Sequence, residues 1–296
     1  MAAPALLVVN PAAGGGRARR LWPSLRDALT RHHFAFEMVE TRARGHAATL
    51  AAEAARARVP LVVAVGGDGT LNEVVNGLVP LRAEFPAAVG AIMTGRGRDA
   101  CRNLGLARDP RRAARRLVEG HLVSRDVGLA RWPGGQRYFL GSAGTGFDAV
   151  VAERAGARGG PLVYARAVVT SLRDYRPIEI AVRLDEGDGW AGPAASVVVC
   201  NGAWFGRGMH VAPGARPDDG LLDVVRLGAL GRLELLRWLP TVYWGGHLAN
   251  PRIQIRRAAR VRVDAGAPRP VQIDGELGAR TPLDIEICPG ALRLLV

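Results

Sequence analysis

The sequence predicts an α/β N-terminal domain, a parallel sheet with helices on both faces, followed by a second, mostly antiparallel β-rich domain. Three observations predict it. Up to about residue 126, short apolar runs alternate with helical patterns, the signature of strands joined by crossover helices. Beyond that point the texture changes to many short strand-like runs separated by turn residues. The length of 296 residues matches about two domains.

The elements follow in order. Residues 5–9 are a continuous apolar run and read as a buried strand, and residues 10–16 (Asn-Pro-Ala-Ala-Gly-Gly-Gly) form a turn-rich loop. Leu21, Leu25, Ala28 and Leu29 then share one helical face, and Pro23 predicts a late start or a bend. Residues 34–41 alternate weakly, as a strand does, and the alanine-rich segment 45–58 is helical. Residues 61–65 form a second buried strand. A helix over 71–78, a strand over 89–93 and a helix over 110–119 complete the first domain. In the second, residues 131–137 read as a turn-rich break. Strands follow at 138–140, 178–184, 195–200, 222–227, 253–257, 260–264, 271–273, 283–287 and 292–295, with helices near 161–172 and 231–242. The expected division is 1–128 and 129–282, with the final strands, about 283–296, returning to the first domain.

Charge narrows the chemistry. Lysine and arginine total 40 against 27 acidic residues, a net charge of +13, and every basic residue is arginine. Without lysine there is no Walker-type phosphate loop and no Schiff-base chemistry. The arginine excess favours anionic partners or reflects a compositional bias of the source. Few aromatic residues, 5%, and no nucleic-acid motif argue against nucleic acid. Cys101, Cys200 and Cys288 are far apart and odd in number, so zinc and redox motifs are not expected and a reduced, cytoplasmic setting is. No signal peptide or apolar stretch of about 18 residues is visible.

Gly66, Gly67, Asp68, Gly69 and Thr70 lie between a buried strand and a helix. Glycines let a phosphate approach the backbone, and the helix start offers N–H groups and a positive dipole end. A carboxylate inside such a loop suits a hard cation standing between acid and phosphate. The same residues also suit a tight turn with Asp68 as a helix cap.

Over nearly its whole length the chain resembles the diacylglycerol-kinase-type lipid kinase family, which includes sphingosine, ceramide and bacterial lipid kinases. The resemblance rests on Asn10-Pro11-x-x-Gly14, on Thr41 with Gly45-His46-Ala47, and on residues 65–74 around Gly66–Thr70. It continues through Gly144-x-Gly146-x-Asp148-Ala149, Asn201-Gly202, Gly206-x-Gly208-Met209, the segment 213–223, and Asp274-Gly275-Glu276. The glycine-rich loop is shared with NAD kinases; the later motifs are not. The resemblance implies an NAD-kinase-like first domain, a β-sandwich-like second domain and an active site in the cleft between them. It implies ATP as donor, Mg²⁺, and a diacylglycerol-like or sphingoid-like lipid alcohol as acceptor. Residues map accordingly. Asp274 is the expected base, Glu276 a metal or water ligand, and Asp68 a catalytic and metal residue. The Gly66–Thr70 loop and Gly95, Arg96, Arg98 and Asp99 face the nucleotide, Asp99 also toward metal. Asn10, Gly14 and Thr41 stand near the C-terminal ends of parallel strands and either touch the nucleotide or serve turns and caps. Arg17, just past the glycine run, is either a phosphate arginine or a solvated helix-face charge. Arg216, Asp219 and Leu221 match a loop that can hold a structural Mg²⁺. Asp126 and Asp148 either support the metal–water network or cap turns. His46 is expected to be structural, and His210 and His247 have no ligand spacing. Trp204, Phe205, Tyr243 and Trp244 line a lipid pocket or belong to the core.

The family's usual Pro-x-Gly-Thr-x-Asn-Asp is here altered: Met93 replaces proline, Arg96 threonine and Arg98 asparagine. Either an arginine clamps phosphate oxygens, or the arginines fill the site or pair with Asp68 and Asp99. The first predicts an active lipid kinase, the second an impaired nucleotide- or lipid-binding pseudokinase; the shared loop keeps NAD kinase as a further alternative. A bilayer substrate predicts peripheral contact with the inner face of the membrane, and a homodimer is compatible with this reading.

Overall fold

The structure, a computed structural model, describes residues 3–95, 97–156 and 161–296. They divide into two compact units, 1–127 with 289–296, and 128–288.

The first unit is a doubly covered parallel sheet. Its elements are β1 (Ala5–Val9), α1 (Ala13–Arg31), β2 (Phe36–Glu40), α2 (His46–Arg56), β3 (Leu61–Gly66), α3 (Asp68–Leu78), β4 (Ala88–Met93), α4 (Asp99–Leu104) and α5 (Pro110–Glu119). The strands lie in the order β2-β1-β3-β4, all parallel. Leu7, Val9, Val63 and Val65 face α1 and α5 and share a core with Leu25, Leu29 and Leu117. Val8, Val62 and Ala64, one residue out of phase, are equally buried and face α2 and α3. The regular part of α1 starts only after Gly16, because Gly14, Gly15 and Gly16 all hold positive φ. Pro23 sits inside the helix without disturbing its dihedrals.

The chain enters the second unit within β5 (Leu122–Trp132) and leaves it within β19 (Leu283–Leu295). Between them come β6 (Gly135–Phe139), β7 (Ser142–Gly146), α6 (Phe147–Ala155), α7 (Pro161–Asp174), β8 (Ile178–Glu179), β9 (Ala181–Leu184), β10 (Gly187–Trp190) and β11 (Pro193–Cys200). Then follow β12 (Trp204–Phe205), β13 (Met209–His210), β14 (Leu222–Gly228), α8 (Arg232–Trp238), β15 (Ile253–Ala258), β16 (Arg260–Asp264), β17 (Pro270–Ile273) and β18 (Glu276–Arg280). One antiparallel sheet runs β15-β14-β11-β7-β17-β18. A second contains β10, β9, β16 and the start of β19, also antiparallel. The two sheets enclose one core, with Val197, Val224 and Ile273 from the first and Val182, Val261 and Leu283 from the second. The opposite face of the first sheet is covered by α6, α7, α8 and the 3₁₀ turns Leu239–Trp244 and Gly246–Ala249.

Four expectations are corrected, and one strand was not foreseen. The run 178–184 is two strands, Ile178–Glu179 pairing with β11 and Ala181–Leu184 with β16. Residues 131–137 are not a break but the closed end of a hairpin: Trp132 pairs with Gly135 and the turn is Pro133-Gly134, with Gly134 at φ 106°. Residues 142–146, Ser-Ala-Gly-Thr-Gly, are a fully buried strand with partners on both sides. It carries no apolar run because its neighbours leave no room for one: a Cβ on Gly144 would stand 2.8 Å from Asp148 Oδ2. The helix expected over 231–242 ends at Trp238 and continues as a 3₁₀ turn, with Pro240 in its first turn. The two final strands are one, unbroken from 283 to 295. Among the described residues no helix is long and apolar enough to cross a membrane.

Candidate active site

In the first unit the predicted nucleotide residues converge on the C-terminal ends of β1, β3 and β4. The chain goes from β1 outward to β2 on one side and to β3 on the other, so the switch point of the sheet lies between β1 and β3, where such folds bind ligands. Asn10 ends β1 and its Nδ2 donates to Thr70 Oγ1 at 3.1 Å, tying the two loops together across that point. Thr41 ends β2, its N–H donating to Val9 O at 2.8 Å. Gly67 is the N-cap of α3 and offers no side chain to the helix, so the first N–H groups of α3 have no side-chain cap. Gly67 also lies against Gly95: a Cβ on Gly95 would meet the Gly67 Cα at 2.6 Å.

Asp68 does not cap its own helix. Its Oδ2 accepts from Arg98 N at 3.0 Å and its Oδ1 from Ala100 N at 3.1 Å, so it caps α4. This holds Arg98 at φ 59°, a left-handed conformation unusual for arginine. The main chain of Arg98, not its guanidinium, therefore meets Asp68. Asp99 pairs with Arg102 at 2.8 Å. Arg17 is half-buried and, with the Arg98 guanidinium, has no ion pair among the described residues. Arg96 lies outside them. His46 is structural, its Nδ1 accepting from Arg42 N. Asp126 ties β5 to the end of the chain, accepting from Gly290 N at 2.7 Å.

In the second unit, Asp274 and Gly275 form a two-residue turn between β17 and β18, with φ of 49° and 78° and Ile273 pairing with Glu276. The acid is not solvated. Asp274 Oδ2 accepts from Leu140 N at 2.8 Å, and Oδ1 from Gly141 N at 2.8 Å and Ser142 N at 3.0 Å. Asp274 N returns a bond to Ser142 O at 2.8 Å. Burial pushes the Asp274 carboxyl up from the usual carboxylate range, against the pull of the three N–H donors and of Arg137. Asn201, fully buried, completes the cradle: its Nδ2 donates to Leu140 O at 3.1 Å and its N–H to Gly141 O at 2.8 Å. The sequence assigns no chemical role to residues 140–142 or to Asn201, although Asn201-Gly202 and the glycines after Ser142 are among the motifs that carry the resemblance. Asp148 accepts from Ser196 Oγ at 2.9 Å, and burial raises its pKa too.

Trp204 stacks on His210 at 3.9 Å and Phe205 packs on the core, whereas Tyr243 and Trp244 lie on the surface. Burial lowers the pKa of both His210 and His247, and His247 Nε2–H donates to Val211 O.

The predicted metal residues divide into two groups. Among the described residues no three acidic, histidine or cysteine side chains come together as a cage. Asp68 uses one lone pair of each oxygen on the main chain and keeps the others, which suits a cation that retains its waters and binds mainly through phosphates. In the Asp219 loop the acid meets an arginine. Asp219 Oδ1 accepts from Leu221 N, Oδ2 takes Arg257, and Arg216 pairs with Asp218. Arg257 Nε also stands 3.7 Å from buried Asp223. A guanidinium thus supplies the positive charge there.

Residues 4–130 match the diacylglycerol kinase catalytic domain and residues 141–296 the YegS C-terminal NAD kinase beta sandwich-like domain. The chain belongs to the diacylglycerol kinase family of lipid kinases. It is 30% identical to a diacylglycerol kinase of Mycobacterium tuberculosis over 239 residues, 79% of this chain and 76% of that protein. The crystal structure of a Bacillus anthracis diacylglycerol kinase superposes with TM-score 0.75 at 23% identity, over 99% of this chain and 96% of that one. An ATP-bound NAD kinase of Archaeoglobus fulgidus shares the fold, with TM-score 0.55 at 14% identity over 99% and 93% of the two chains.

Two outcomes test this packing. Gly95→Ala drives a Cβ into the Gly67 backbone and destabilises by about 1–3 kcal/mol, read as a Tm several degrees lower. Arg257→Ala leaves Asp219 and Asp223 without their cation and costs about 1–2 kcal/mol, the arginine being partly exposed. Millimolar Mg²⁺ then raises the Tm of the variant and leaves that of the parent protein unchanged.

Proposed function

We propose that this lipid kinase transfers the γ-phosphoryl group of ATP to the hydroxyl of a diacylglycerol-like or sphingoid-like alcohol at a membrane surface. The bond from phosphorus to the bridging oxygen of ADP breaks, a bond to the acceptor oxygen forms, and the acceptor's proton passes to Asp274. The observation that carries the reading is the Asp274 cradle. Phosphoryl transfer needs a positioned base for a hydroxyl. A carboxylate with raised pKa, fixed in place by three main-chain donors, is suited to accept that proton.

The nucleotide role goes to the first unit. The open N-terminus of α3, the glycines 66, 67 and 69, and Thr70 with Asn10 suit phosphate oxygens without lysine. Arg17 and the Arg98 guanidinium are the candidates for a forked phosphate contact, and Gly14, Thr41 and Gly95 shape the pocket around them. Asp68 and Asp99 would hold Mg²⁺, which would neutralise phosphate charge when bound. Glu276, next to the Asp274 turn, is the candidate for ordering water or the acceptor.

Labelled-ATP transfer over a lipid panel tests these roles. Asp274→Asn lowers kcat at least about 100-fold with little change in KM for ATP. Asp68→Ala instead raises KM for ATP, because the 98–100 segment loses its anchor. An Asp274→Asn enzyme with kcat within a few-fold of the parent removes Asp274 as base.

A further inference from the structure

In the second unit, α7, α8 and the 3₁₀ turns bury one face against the sheet through Ala167, Tyr175, Leu235 and Val242. Their opposite faces are apolar as well. Of the twelve large hydrophobic side chains exposed among the described residues, eight belong to these elements. Leu162 is 86% exposed, Val169 66%, Leu233 83% and Trp244 66%, with Leu236 and Tyr243 at half. Gathered on one layer rather than scattered over the molecule, they mark an interaction surface.

Charge selects the partner. Along α7, Leu162, Arg166, Val169 and Arg173 fall at i, i+4, i+7 and i+11 and form one stripe. Arg237 stands beside Leu233 and Leu236 on α8. Arg166, Arg173 and Arg237 have no ion pair among the described residues. The only acids of α7 and α8, Asp174 and Glu234, are neutralised by Arg154 at 2.9 Å and Arg252 at 2.8 Å. On the exposed sheet of the same unit three arginines are matched, Arg131 with Glu286, Arg260 with Glu186 and Arg262 with Asp284, and Arg183 alone of β9 and β16 has no ion pair among the described residues. The helical layer therefore presents apolar side chains and unmatched positive charge together. A second copy of the chain would bring like charges face to face. An anionic bilayer offers phosphates for the arginines, an acyl boundary for the leucines and a headgroup level for Trp244 and Tyr243.

We propose that the outer face of α7, α8 and the 3₁₀ turn Leu239–Trp244 is the surface by which the protein docks on an anionic membrane. The proposal rests on the lipid-kinase reading and names the face it uses. Flotation of the full chain with phosphatidylglycerol-containing and with pure phosphatidylcholine vesicles tests it. The parent protein binds the anionic vesicles and loses them as salt rises. Leu233→Glu with Leu236→Glu lowers binding at least about 10-fold. Arg166→Gln with Arg173→Gln and Arg237→Gln lowers it about 100-fold and abolishes the preference for anionic lipid. Both variants retain the parent's circular dichroism and its rate on a short-chain diacylglycerol dissolved as monomer. Variants that float like the parent overturn the proposal. So does a parent dimer, seen by sedimentation, that the leucine variant dissociates, and so does equal binding to neutral vesicles. Binding as expected without phosphorylation of any alcohol supports the docking face and overturns the phosphotransfer reading. Short-chain phosphorylation with unaltered vesicle binding in both variants does the reverse.

Discussion

A carboxylate accepting three consecutive main-chain N–H groups sets the second unit. The Asp274 turn and residues 140–142 hold each other, three bonds in one direction and one in return. Those residues feed straight into β7, the strand with β11 on one side and β17 on the other. The clamp therefore fixes the β17–β18 hairpin in register with β7 and places the only charged atoms of that turn in a cradle with Asn201 behind it. Two forces act on the acid in opposite directions. The donors favour its charged form and burial disfavours it, and burial is the larger. Rigidity and a raised pKa arise from the same packing.

The first unit uses the same device once more. Asp68 accepts N–H groups of the 98–100 segment and so presses the loop after β4 against the loop after β3. The close Gly67–Gly95 approach is the steric counterpart. In a chain without lysine, main-chain N–H groups, arginine forks and neutral side chains such as Asn10 and Thr70 are the donors left for anions. The acids at both loops organise those donors. Arginine also takes the place of a cation at Asp219, where two acids converge on Arg257.

The parallel strands were legible because burial on both faces writes itself as an apolar run, as in Leu-Val-Val-Ala-Val at 61–65. β7 was not, because a strand selected for close approach is spelled with Gly, Ala, Ser and Thr, the vocabulary of turns. The 131–137 hairpin hid for a related reason: its two-residue turn dominates a short window, and the flanking arginines and glutamine are edge residues. Asp274-Gly275 has the spelling of a hairpin turn, whose acids are ordinarily solvated. The turn is real and the solvation is not, since the donors that bury the acid lie more than 130 residues earlier. The pairing of Asp219 with Arg257 escaped for the same reason, the partners being 38 residues apart. Separations of that size leave no local pattern. The family resemblance located the motifs, and the matches at 4–130 and 141–296 bear it out.

Burial raises the affinity of Asp274, the proposed base, for protons while the main chain holds it in place. Because ionisation is required and the pKa is raised, activity must fall as pH drops through a value above the usual aspartate figure of about 3.9. The most direct measurement is the pH dependence of kcat/KM for phosphoryl transfer to a soluble short-chain alcohol, in the parent protein and in Asp274→Asn. An acidic limb above the ordinary carboxylate range is expected in the parent, and none in the residual rate of the variant. A limb at or below the ordinary value, or one that persists unchanged in Asp274→Asn, would contradict that role for Asp274.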